Sequence, residues 1–292
     1  DEENYFFRWS KYQQALLDLY TNDPDFVKPA FRLKEIHNFV AQGLMDFSIS
    51  RLKSKMPWGV QVPNDPDHVM YVWFDALTNY ISTLGWPNDA KGNFKKFWNE
   101  GEVVQLAGKD QVRFQSVIWQ AMLMSVGLPN SKQIVIDGFV TGEGGLKMSK
   151  SLGNVINPVD LVKEYGTDAL RFYVLKEVHP FEDSPFTLDK FKEAYNAHLA
   201  NGIGNLTNRL LKMMISYDVQ FDPILIPQNQ YWNEVEGEVG QFLENNDVTG
   251  YSNFIWQGFA SIDVWIQETE PFKLFKADPE KAKGIVAEMM KK

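Results

Sequence analysis

Residues 133–154 read QIVIDGFVTGEGGLKMSKSLGN. The first eight, QIVIDGFV (133–140), are rich in apolar and β-branched residues, the pattern of a strand buried in a sheet. Glycines at 142, 144 and 145 then interrupt the run, and Lys147, Ser149, Lys150 and Ser151 follow within five positions. Helix-forming sequence resumes beyond. A strand, a glycine loop and a helix in that order are one βα step of a parallel α/β sheet.

The pattern repeats upstream. VVQLAG (103–108) reads as a short strand closed by glycine, residues 110–126 as an apolar-faced helix, and Gly127 to Asn130 as a turn. HVMYVWFDAL (68–77) begins as a strand and becomes a helix around Asp75. Pro57 to Asp67 is loop or edge structure. Residues 31–45 predict a helix ending near Gly43, and residues 10–20 a helix capped by Ser10. Beyond residue 186 the texture turns helical throughout, interrupted by prolines at 223 and 227 and resuming from about 230. The expected organisation is a partial Rossmann-type parallel sheet over 1–186 and an α-helical bundle over 187–292, with the boundary near Ser184–Thr187.

The 292 residues are 44% hydrophobic, enough for a sizeable core, and lack an apolar run of the ~18 residues that a membrane span needs. The absence of cysteine removes disulfides and thiolate metal sites, and the four histidines, at 37, 68, 179 and 198, are scattered. No metal site, zinc included, is expected, and a reduced cytoplasmic setting is the default. A net charge of −9 argues against indiscriminate nucleic-acid binding but leaves room for one RNA on a local basic face. The opening DEENYFFRWS has neither an initiator Met nor the order of a signal peptide, so the expectation is a chain that begins inside a longer product.

The loop at 142–154 has its own chemistry. Glycines let backbone N–H groups approach an anion, and lysines with hydroxyls suit a polyphosphate whose charge rises as a phosphorus–oxygen bond breaks. An exposed Gly/Lys/Ser turn without chemistry has the same composition. The P-loop pattern GxxxxGK[ST] is absent.

The order Lys147-Met148-Ser149-Lys150-Ser151 resembles the KMSKS signature of class I aminoacyl-tRNA synthetases, and SLGNVINP continues it as that family does. DFSISR (46–51), WGVQVP (58–63), YVWFDALTNYIS (71–82), GKD (108–110) and WQAMLM (119–124) resemble methionyl-tRNA synthetases in order and spacing, from residue 3 through the helical half. The resemblance implies a Rossmann catalytic core, a connecting region after KMSKS and a helical anticodon-binding domain. It implies ATP with Mg2+, L-methionine and tRNA as partners, and ligation through methionyl-adenylate.

By that resemblance Lys147 and Lys150 are the catalytic, phosphate-holding cations, Lys150 foremost, with Ser149 and Ser151 beside them. Gly108 and Asp110 face the nucleotide, although a helix N-cap is an alternative for Asp110. Trp73, Ala76, Leu77 and Tyr80, with Phe114, Gln115 and Trp119 on the following helix, match the methionine pocket, where aromatic walls suit a thioether. Arg51 matches an arginine near the substrate; a surface salt bridge is its alternative. Asn205 and Arg209, four apart and so on one helix face, match an anticodon-reading pair, and Phe272 stands where the family has Trp.

Two departures stand out. No histidine lies in an HIGH-like arrangement. The expectation is therefore a KMSKS half-site needing an N-terminal half in cis or in trans, little activity alone, and an unpaired sheet edge. Gln115 also replaces a common pocket histidine, and Gln111 an apolar wall. The competing functional reading is a non-catalytic fragment that binds tRNA. A class I synthetase of another specificity is a third.

Overall fold

The computed structural model describes residues 2–220, 237 and 239–291, without the side chain of Lys150. The chain divides into two compact units, Asp1–Asp137 and Gly138–Lys292.

In the first unit the strands are β1 (Phe6–Phe7), β2 (Val27–Lys28), β3 (Phe47–Ser48), β4 (Ser50–Leu52), β5 (Gln61–Val62), β6 (Asp65–Met70), β7 (Val104–Gly108) and β8 (Gln133–Asp137). The α-helices are α1 (Gln13–Asn22), α2 (Ala30–Ala41), α3 (Val72–Ala76), α4 (Asn79–Ser82) and α5 (Trp119–Ser125). Strands β2, β8 and β7 form a parallel sheet with β8 in the middle, in the register Val27↔Ile134 and Leu106↔Val135. The central position explains the sequence of β8. Ile134, Val135 and Ile136 are all buried, so the strand reads as a continuous apolar run instead of an alternation. Full burial of each such side chain contributes about 1.5–3 kcal/mol. The helical segment between β7 and β8 completes a parallel crossover. On β7, Val104 and Leu106 share a face and remain exposed, on a strand with one sheet neighbour among the described residues. Strands β4, β6 and β5 form a separate antiparallel sheet.

Three local expectations are corrected. Ser10 does not cap α1: its hydroxyl and amide both donate to Asp46 Oδ1, at 2.7 and 3.1 Å, and a short 3₁₀ turn, Trp9–Tyr12, precedes the helix. The helix expected over 110–126 is a 3₁₀ turn at Lys109–Gln111, a π-helical turn at Phe114–Ile118 and then α5. The strand expected over 133–140 stops at Asp137, and a new one, β9 (Val140–Thr141), pairs in parallel with β10 (Ser184–Pro185). Gly138 marks the break. A Cβ there would lie 2.2 Å from the Glu182 carbonyl oxygen, and the Gly138 amide donates to the Pro180 carbonyl at 2.9 Å.

The second unit continues with α6 (Pro158–Tyr165), α7 (Thr167–Glu177), α8 (Leu188–Ala194), α9 (Asn205–Ser216), α10 (Val248–Thr269), α11 (Pro271–Ala277) and α12 (Pro279–Lys291). Thr187 caps α8 by accepting from the Lys190 amide at 3.2 Å, at the place where the sequence turns helical. Leu161, Ala169, Tyr173, Phe186 and Phe191 form one core. Leu206, Leu210, Ile262, Ile266 and Met289 form another, which joins α9, α10 and α12 into a bundle. The prolines at 223 and 227 and the start of the helix expected from 230 lie outside the described residues.

Candidate functional site

In the first unit the strand-to-helix turn at Tyr71 aims α3 and α4 at the segment after β7. Trp73 and Phe114 meet with ring centroids 4.5 Å apart, and Tyr80 and Trp119 meet at 5.8 Å. Trp119 in turn contacts Trp98 edge-on at 5.9 Å, and its buried indole N–H has no partner among the described residues. Leu77 is buried in this core, and Ala76 is half-buried on the preceding turn. The π-helical turn is where the wall changes pitch. Such turns insert one residue and re-aim side chains, and here Phe114 faces Trp73 while Gln115 points at Tyr80.

Gln115 is buried and donates from Nε2 to the Tyr80 hydroxyl at 2.8 Å. Its Oε1 accepts from Gln105 Nε2 at 3.1 Å. Gln105, Gln120 and Ser131 are buried behind it and bonded to one another. Gln111 is half-buried at the end of the 3₁₀ turn. Arg51, on β4, donates to the Ser48 hydroxyl and the Ser50 carbonyl at 2.9 and 2.6 Å, with its guanidinium 4.9 Å from the Tyr71 ring centre.

Gly108 ends β7 opposite Asp137, the last residue of β8. Asp110 is exposed in the turn that follows, and Gly108, not Asp110, holds the cap position. Asp137 is half-buried, and burial holds its carboxyl above the usual aspartate range. Both carboxylates therefore stand at the carboxyl edge of neighbouring parallel strands, where ligands of such sheets bind.

In the second unit the loop after β9 is tied at both ends. Lys147 bridges Thr141, and the Gly142 amide donates to the Leu146 carbonyl at 2.7 Å. Gly144 and Gly145 have φ of +67° and +76°, a conformation that requires glycine here. The Ser149 amide donates to Asn154 Oδ1 at 2.9 Å, and Asn154 Nδ2 donates to the Lys147 carbonyl at 3.3 Å. The hydroxyls of Ser149 and Ser151 are 3.1 Å apart. Lys147 is exposed, with Nζ 5.1 Å from the Phe139 ring centre. Lys150 begins a short 3₁₀ turn, and its side chain lies outside the described residues.

In the bundle, Asn205 opens α9 and is exposed; Arg209, one turn later, pairs with Asp263 of α10. Phe272 is half exposed on α11, after Glu270 in a left-handed conformation. Among the described residues no group of three or more His, Cys, Asp or Glu is placed to hold a metal ion, and no helix is long and apolar enough to cross a membrane.

The structure thus gathers Tyr80, Gln115 and Trp119 around one wall, and Trp73 with Phe114. Sequence reading missed Gln105, Gln120, Ser131 and Asp137. The one available signal was polarity inside apolar runs: Gln105 within VVQLAG and Gln120 within the apolar helix.

The family described as "tRNA synthetases class I (M)" matches residues 1–211. The methionine–tRNA ligase of Fusobacterium nucleatum is 40% identical over 289 residues, which cover 97% of this chain and 45% of that protein. That of Thermosynechococcus vestitus is 50% identical over 219 residues, 74% of this chain and 41% of its own length. A crystal structure of Mycobacterium tuberculosis methionyl-tRNA synthetase bound by methionyl-adenylate superposes with a TM-score of 0.85 at 34% identity, over 98% of this chain and 57% of that one. The chain spans about half the length of the curated relatives it matches.

Proposed function

We propose, from the premise that this chain belongs to the class I tRNA synthetases of the methionyl type, that it supplies the KMSKS half of an ATP-dependent methionine–tRNA ligase. The observation that carries the reading is the loop clasped by Asn154, which presents the Lys147–Ser151 pentapeptide after β9 and its glycine turn. In the reaction the methionine carboxylate attacks the α-phosphate of ATP and pyrophosphate leaves. The methionyl group then passes to the 3′ end of tRNA. No side chain forms a covalent intermediate, so the protein's work is positioning and charge stabilisation. Lys147 and Lys150 neutralise the departing phosphates, Lys150 foremost, and the Ser149 and Ser151 hydroxyls donate to them. Gly108 lets the nucleotide approach the sheet edge, and Asp110 accepts from a ribose hydroxyl.

Trp73, Ala76, Leu77, Tyr80, Phe114, Gln115 and Trp119 enclose the methionine side chain, and Arg51 lies toward the substrate. Asn205, Arg209 and Phe272 meet the anticodon. Mg2+ would enter with ATP as part of the substrate and would offset the charge of its phosphates. The remaining phosphate contacts come from a HIGH-bearing half in cis or in trans. The exposed Val104 and Leu106 on β7 support this reading, since added chain on that face would cover them.

The test is methionine-dependent ATP–pyrophosphate exchange by residues 1–292 alone and with a HIGH-bearing half added. Exchange only after addition is the expected result. Absence of exchange in both, with tRNA still bound, would replace this reading by a non-catalytic tRNA-binding module.

A further inference from the structure

The buried amides of the first unit form a chain of hydrogen bonds in which main chain fixes the orientation of one member, Gln120. The Ser131 amide and Asn130 Nδ2 both donate to Gln120 Oε1, at 3.2 and 3.0 Å. The other end of Gln120, Nε2, donates to the Gln115 carbonyl at 2.9 Å and to the Ser131 hydroxyl at 3.2 Å. A backbone N–H only donates and a carbonyl only accepts, so Gln120 has one orientation. Ser131 Oγ, accepting from Gln120, sends its own hydrogen to Gln105 Oε1 at 2.6 Å. Gln105 must then donate from Nε2 to Gln115 Oε1 at 3.1 Å, and Gln115 from Nε2 to the Tyr80 hydroxyl at 2.8 Å. Reversing Gln105, Gln115 or Gln120 alone would set two donors or two acceptors face to face inside a buried network.

We propose that Ser131, Gln105 and Gln120 are positioning residues that dictate the polarity of the amino-acid pocket. Tyr80 accepts from behind, so its own hydroxyl hydrogen is left to be donated forward, beside the Trp119 ring. A donor at that place favours a side chain carrying an acceptor, such as a thioether, over a hydrocarbon of equal length. The inference rests on the proposed function above, because it takes this wall as the methionine pocket. It places selectivity in residues that touch no substrate, on a strand, a helix and a loop 11 to 26 positions apart in sequence.

The experiment compares methionine with norleucine, its sulfur-free isostere, in ATP–pyrophosphate exchange with the HIGH-bearing half present. Ser131→Ala removes the hydrogen that orients Gln105, and Gln105→Met interrupts the relay at the next link, which covers the case of a misfolded Ser131→Ala. Either variant should lower the methionine-to-norleucine ratio of kcat/KM by roughly three- to tenfold, the range for one uncharged hydrogen bond, with KM for ATP unchanged. Ser131→Thr, which keeps the hydroxyl, should retain the parent ratio. A merely structural role would weaken both amino acids equally. An unchanged ratio in folded variants of an active parent overturns the relay alone. A parent without exchange overturns the proposed function, and the relay with it.

Discussion

The main-chain amide of Ser149 donates to Asn154 Oδ1 at 2.9 Å, and the same side chain reaches back from Nδ2 to the Lys147 carbonyl at 3.3 Å. One residue therefore spans the pentapeptide from its first position to its third. Before it, Gly144 and Gly145 lie in the left-handed region with open space around them, and the Gly145 amide donates to the Gly142 carbonyl at 3.2 Å.

With a HIGH-bearing half present, Asn154→Ala should therefore lower adenylate formation by about tenfold, equivalent to ~1.4 kcal/mol in the transition state, while global stability changes by less than about 1 kcal/mol. Asn154→Asp keeps the acceptor for Ser149 and should fall between. Single-turnover kinetics beside urea unfolding separate the two effects; an unaltered rate for the alanine variant would rule out the clasp as an organiser of the loop.

Gln115→Leu takes a buried acceptor from Gln105 and a donor from Tyr80. Leaving the Gln105 amide unpartnered should cost about 1–3 kcal/mol in chemical denaturation. Gln115→His should recover most of it, with one nitrogen of the neutral ring accepting from Gln105 and the other donating to Tyr80. The two side chains then part company in pH dependence. An amide does not titrate, so KM for methionine should lack a Gln115-linked step between pH 6 and 8 in the parent and acquire one near the histidine range, about 6.5, in the variant. Superimposable profiles would count against a role at the pocket.

His68 provides a stability test in the same unit. Its Nε2 lies 2.9 Å from the Glu3 carbonyl and its Nδ1 2.8 Å from Asp65 Oδ2. Both neighbours are acceptors, so both ring nitrogens must carry hydrogen, and the imidazolium is the form that fits. The Glu3 carbonyl first, then Asp65, raise the His68 pKa. A raised folded-state pKa means stability that is fully present below the ordinary histidine value of about 6.5 and lost as pH rises through the raised value. Urea midpoints should fall across that window, and His68→Gln should flatten the dependence. A midpoint that climbed instead would reverse the sign and refute the assignment.

The glycine loop at 142–154 was legible as a loop after a strand because its glycines and Asn154 act within a dozen positions. The central sheet was legible for a similar reason: β8 is apolar from Ile134 to Ile136 because both faces are covered there. The relay behind Tyr80 was not. Gln105, Gln115, Gln120 and Ser131 each look like a polar intrusion in an apolar setting, and only packing shows that each satisfies the next. The break at Gly138 was hidden for the opposite reason. QIVIDGFV has strand composition throughout, and the backbone at Glu182 that closes over Gly138 comes from 44 positions away. The π-helical turn at Phe114–Ile118 changes pitch by one residue, which apolar periodicity over so short a stretch does not register.

Arg209, expected to read an anticodon, is paired with Asp263 across α9 and α10. Both side chains are more than a third exposed, so the pair should contribute well under about 1 kcal/mol to stability. Its consequence for RNA is larger. A guanidinium already facing a carboxylate must leave it, or share its remaining N–H groups, before it meets a phosphate or base edge. Asp263 also adds a negative charge beside any approaching backbone. Asp263→Ala should therefore tighten tRNA binding about two- to fivefold and steepen the fall of log K with log salt by up to about 0.7, the slope for one single-strand phosphate. Arg209→Gln should weaken binding and flatten the slope. Filter binding over a salt series, with unfolding midpoints as control, reads both. Equal affinities in the parent and both variants would mean that the ion pair belongs to the bundle and that Arg209 never leaves it.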